Sequence, residues 1–133
     1  MDVTLGPWTA EMSVEENDRK PLTQAMADAA MGKAKATAGI TPKEASLGKP
    51  AAKGFTISGK VTHIVKEGGS VTARAVFTLW IDGTFSNVQP LKGEATASGM
   101  GSRTAEEALR AVTESRVKTL LDAIKAGRAS KAR

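Results

Sequence analysis

His63 is the only histidine in the chain, and cysteine and tyrosine are absent. Thiol nucleophiles, thiolate metal sites and disulfides are thereby excluded, and a histidine metal cluster cannot be built within one copy. Acid–base work would fall to Asp, Glu or Lys, and nucleophilic work to Ser, Thr or Lys. The carboxylates show no convincing pairing. Glu106, Glu107 and Glu114 fall on one predicted helix, where adjacent acids diverge. Glu67, Asp82 and Glu94 are the set that strand ends could bring together. Gly99, Met100 and Gly101 precede that helix, but no Gly-Lys-Ser/Thr follows, and Glu106 and Glu107 would repel an anion. They read as a tight strand-to-helix turn. The chain is expected to be non-enzymatic, with no metal and no cofactor.

The elements that would position these groups are few. Alanine recurs at 25, 27, 29, 30, 34, 36 and 38, and Leu22, Met26, Ala29 and Ala30 share one face. This predicts a helix over residues 22–38, capped by Thr23 and stopped by Gly39. Residues 39–53 read as an irregular linker broken by Pro42, Gly48 and Pro50. From residue 55 the period changes to two. Phe55, Ile57, Val61 and Val65 fall on one side, and His63 joins them if no bulge intervenes. After Gly68 and Gly69, the set Val71, Ala73, Ala75, Phe77, Leu79 and Ile81 forms an inner row. Thr72, Arg74, Val76, Thr78 and Trp80 form the outer row. Asp82 and Gly83 signal the next turn. A broken third strand follows, with Ala95 and Ala97 inward and Pro90 marking an edge. Thr104 and Glu107 fit a capping box opening a last helix. Its stripe is Ala105, Leu109, Val112, Val117, Leu120 and Ile124, with Arg116 near the centre.

The expected fold is therefore α+β: a three-stranded antiparallel sheet with two helices on one face, in the order α-β-β-β-α. Residues 1–21 are read as an extended N-terminal arm, residues 22–126 as the domain and residues 127–133 as a flexible basic tail. The 133 residues suit one domain, and 41% apolar against 25% charged composition argues against disorder.

Charge is segregated. Nineteen basic residues oppose 14 acidic ones, for a net +5. The first twenty residues hold Asp2, Glu11, Glu15, Glu16 and Asp18, whereas the last nine hold Lys125, Arg128, Lys131 and Arg133 without an acid. Those four are candidate nucleic-acid contacts. Trp80 and Val76 on the outer row, Trp8 and Met12 on the arm, and Arg116 on the last helix are candidate interaction residues. The arm or a second molecule would cover Trp80. No run of eighteen apolar residues and no signal peptide is visible. The expected location is cytoplasmic or particle-associated, with the periplasm open.

The element order resembles that of double-stranded-RNA-binding domains, although Arg103, Thr104, Ala105, Glu106 and Glu107 stand where that family has a lysine cluster. Residues 93–124, a strand ending in small residues followed by an Ala-rich helix, are similar to small assembly domains of bacterial envelope proteins. That second resemblance implies a non-enzymatic assembly role. The preferred reading is a protein-interaction or assembly module that self-associates, with nucleic-acid binding through the linker and tail as the alternative.

Overall fold

The computed structural model describes residues 1–45, 49–99 and 101–132. Gly48 of the linker, Met100 of the glycine turn and Arg133 of the tail lie outside the described residues.

Among the described residues, the chain is mixed α+β, with a sheet of six strands and two helices on one of its faces. The strands are β1 (Asp2–Ala10), β2 (Thr41–Glu44), β3 (Phe55–Glu67), β4 (Ser70–Ile81), β5 (Thr84–Phe85) and β6 (Leu91–Ser98). The helices are α1 (Glu16–Lys35) and α2 (Ser102–Lys125). The order across the sheet is β2-β1-β3-β4, with β5 and β6 both pairing with β4.

The expected count of three strands is corrected to six, and the expected arm is part of the sheet. β1 lies between β2 and β3 and is parallel to both. Val3 and Leu5 are fully buried beneath the helices. Gly6 and Pro7, a turn signal in sequence, sit at a shift of register inside the strand rather than at its end. Pro42 does not prevent β2, because β2 is an edge strand and needs hydrogen bonds on one side only. These parallel pairings join segments about forty to fifty residues apart, which local periodicity does not reveal.

The long hairpin follows the two-residue period. Val71, Ala73, Ala75, Phe77 and Leu79 are all at most 1% exposed, while Arg74 is exposed and Thr72, Val76, Thr78 and Trp80 are half-buried on the other side. β3 departs from its expected pattern at one point. A bulge between Val61 and His63 sets His63 opposite Arg74 and Ile64 opposite Ala73. His63 and Val65 therefore turn to solvent, and Ile64 replaces them on the core side.

Helix α1 begins at Glu16, six residues earlier than expected, and carries Pro21 inside it. Its opening is held from outside the helix: Val14 is buried, and Arg19 donates to the carbonyls of Val14 and Met12 at 2.9 and 3.1 Å. Helix α2 begins at Ser102, with Gly101 as N-cap. Thr104 lies inside the helix, so the expected capping box is not formed. The predicted stripe of α2 is buried throughout, joined by Ala108 and Leu121. Residues 128–132 do not trail free. They run back along β5, with Asn87 and Ala132 donating to the carbonyls of Ser130 and Phe85.

Candidate interaction surface

The helices cover one face of the sheet. The other face carries a groove whose floor is the outer row of β3 and β4. Ser58, Lys60, Val76, Thr78 and Trp80 line it, with Pro7, Phe85 and Pro90 at its rim, and it holds about 400 Å³. A second hollow of about 620 Å³ continues it past Val76 to His63, Arg74, Lys92 and Arg116.

Trp80 is fixed in place. Its indole N–H donates to the Ser58 hydroxyl at 2.8 Å, and its ring stacks on Phe85 with centroids 4.4 Å apart and planes 23° from parallel. The turn creates this pair. Asp82 and Gly83 both take positive φ, at 51° and 78°, as a two-residue hairpin loop of type I′ requires. That loop sets Ile81 opposite Thr84 and Trp80 opposite Phe85. Phe85 is 57% exposed. The stacking partner was missed in sequence, although the Asp82–Gly83 signal determines it: counting outward from a two-residue loop places residue 85 against residue 80.

Trp8 does not reach Trp80. It pairs with Gly59 and packs partly into the core on the helix side, beside Met31. Met12 is 90% exposed on the turn between β1 and α1. Neither residue covers the indole, so Phe85 and Ser58 are its neighbours instead.

The polar end of the face is largely paired. Arg74 bridges Glu94 at 3.0 Å across β4 and β6, and Lys60 bridges Glu11 at 3.6 Å. Both pairs are exposed and contribute little to stability. Arg116 reaches from α2 to the sheet margin, where its Nε donates to the Lys92 carbonyl at 3.2 Å. Gly93 permits this approach, since a Cβ there would stand 2.5 Å from Val112 and 2.8 Å from Arg116 Nε. Glu67, Asp82 and Glu94 do not converge. Glu94 is engaged by Arg74, whereas Asp82 meets Lys131 at 3.0 Å and accepts the Gly54 N–H at 2.7 Å. The Gly54 amide first, and then Lys131, hold the Asp82 carboxyl below the usual range. Among the described residues, no three His, Asp or Glu side chains are grouped to hold a metal ion.

Acidic groups stand beside the described tail cations. Lys131 is engaged by Asp82. Lys125 and Arg128 stand near Asp122, whose carboxyl is held low chiefly by its hydrogen bond with Lys118. No described helix is long and apolar enough to cross a membrane.

No protein-family model matches the sequence, and no curated protein matches it. Solved structures do share the architecture. A hypothetical protein from Chlamydia trachomatis aligns with a TM-score of 0.60 at 7% identity, over 92% of this chain and 94% of that one. A Xanthomonas campestris protein of family DUF330 aligns at 0.59 and 12% identity, over 96% and 87%. The subunit of a PelC dodecamer from Paraburkholderia phytofirmans aligns at 0.50 and 14% identity, over 86% and 83%. Identities this low express a common fold. The added parallel strand β1 takes the chain out of the α-β-β-β-α order on which the resemblance to double-stranded-RNA-binding domains rested. What the chain shares with these neighbours is the overall fold.

Proposed function

We propose that the protein is a non-enzymatic assembly module that associates with copies of itself through the uncovered face of its sheet. One observation carries this reading: the Trp80–Phe85 stack stands on the face that neither helix covers, with Val76 and Pro90 beside it. Aromatic groups dominate interface energetics when a partner desolvates them. The dodecameric state named for the PelC neighbour supports a second copy as that partner. The non-enzymatic part of the reading is supported by chemical content, because the one histidine is exposed and the nearby Glu11 and Glu94 are in ion pairs.

Light scattering over a concentration series tests this. Mass should rise with concentration, and Trp80→Ala should weaken association by about 2–4 kcal/mol while circular dichroism stays native. Phe85→Ala removes the more exposed ring and should act in the same direction. A wild-type chain that stays monomeric throughout refutes the reading. Unfolding of Trp80→Ala alone would instead assign Trp80 to the core, and Phe85→Ala would then decide.

A further inference from the structure

The sheet has margins of three kinds. The β2 margin is four residues long and contains Pro42, which has no N–H to offer. The β5 margin is occupied, because the tail runs along it from Ser130 to Ala132. β6 is different. It is eight residues long, contains no proline and pairs only with β4 among the described residues.

Two hydrogen bonds reveal which backbone groups of β6 face outward. Gly99 N–H donates to the Gly69 carbonyl, continuing the ladder with β4 through the odd-numbered residues. The Lys92 carbonyl instead accepts from Arg116, so it points away from β4. Because an antiparallel strand alternates its bonding direction, Lys92, Glu94, Thr96 and Ser98 present their N–H and C=O groups to the open side. An uncovered margin of this length is a template for another strand.

Resting on the self-association proposed above, we infer that β6 pairs antiparallel with β6 of a second copy across a twofold axis. The occupant follows from the margins: among the described residues, β6 is the one margin of a second copy that offers a matching length of unpaired backbone. A twofold axis makes the two strands antiparallel. Centring the pair on Ala95 sets Glu94 opposite Thr96, Lys92 opposite Ser98, and no like charges face to face. Moving the centre to Glu94 would oppose two glutamates, and moving it to Gly93 would bring Pro90 opposite Thr96. The Arg116 bond need not break, since a carbonyl has two lone pairs. The joined sheet would keep all four helices on one side. Both Trp80–Phe85 stacks would lie on the other, so the two contact surfaces are compatible in one assembly.

Cysteine is absent from the chain, so one introduced thiol reports cleanly. Ala95 faces its counterpart as a non-hydrogen-bonded pair, where Cα atoms lie about 4.5 Å apart, within disulfide range. Mild oxidation of Ala95→Cys should give a covalent dimer. Thr119→Cys, on the exposed side of α2, should not. Thr96→Pro removes an outward N–H without touching the β4 ladder and should weaken association about tenfold or more. Absence of the Ala95→Cys cross-link in a wild-type chain that does assemble overturns the β6 pairing and leaves the assembly reading standing. A monomeric wild type overturns both. If Thr96→Pro fails to fold, the cross-link decides.

Discussion

Asp82 shows how one side chain can tie distant segments together. Its backbone is in the left-handed region at φ 51°, which Asp tolerates better than most residues. Its carboxylate takes the Gly54 N–H and the Lys131 ammonium, linking the entry of β3, the β4–β5 turn and the tail. The turn that Asp82 and Gly83 signal in sequence is present, while the backbone amide its carboxylate accepts lies 28 residues away. Because its folded pKa is depressed, its contribution is present above the unfolded value of about 3.9 and is lost as pH falls through the folded value. Acidification below about pH 4 should therefore loosen the tail before the core. Asp82→Asn keeps the tolerance for positive φ but removes the charge. Its Asn87 and Ala132 amides should exchange faster at neutral pH than in the wild type. Unchanged protection would show that the backbone bonds alone hold the tail.

At the scale of elements, legibility depended on whether a segment's partners were local. The outer and inner rows of β4 and the stripe of α2 were readable because each repeats its period over several turns or residues. The bulge in β3 was not, since an extra residue at Thr62 leaves no mark in a Val-Thr-His-Ile-Val run yet moves His63 to the opposite face. The start of α1 was hidden because Pro21 resembles a boundary, while the contacts that fix the opening turn come from Val14 and Met12 carbonyls outside it. Of the candidate surface, Val76 and Trp80 could be placed on the outer row, but Phe85, Ser58 and the prolines at the rim required the strand pairing. Two glycines separate packing from propensity. A Cβ on Gly59 would meet Met26 Cε at 2.7 Å and the Phe77 ring at 2.9 Å, so β3 and α1 are close because residue 59 has no side chain. Gly59→Ala should cost about 1–3 kcal/mol. Gly32, inside α1, has nothing within 4 Å. Gly32→Ala should stabilise by about 0.5–1 kcal/mol. Thermal unfolding of both variants checks the pair, and a destabilised Gly32→Ala would mean that α1 has a neighbour at that position.

At the scale of the whole molecule, the two termini look equally dispensable in sequence and are not equivalent in the fold. Residues 1–13 include β1, which among the described residues is the only strand pairing β2 and which flanks β3 over six registered positions. Removing them takes away Val3 and Leu5, each worth about 1.5–3 kcal/mol of burial. It also strands the N–H and C=O groups of β3 that faced β1, at about 1 kcal/mol for each lost bond. Together these losses are comparable with the 5–15 kcal/mol by which an ordinary domain is stable. The tail is different. The described tail residues run beside β5 and Asn87, and removal of residues 128–133 leaves the β3–β4–β6 ladder and both helices intact. A chain lacking residues 1–13 should therefore show no cooperative thermal transition. A chain lacking residues 128–133 should unfold cooperatively, with its midpoint lowered by a few degrees, on the order of 4 °C per kcal/mol for a domain of this size. Calorimetry on the two truncations separates the alternatives: a cooperative, native-like transition without residues 1–13 would return the N-terminus to the status of an arm.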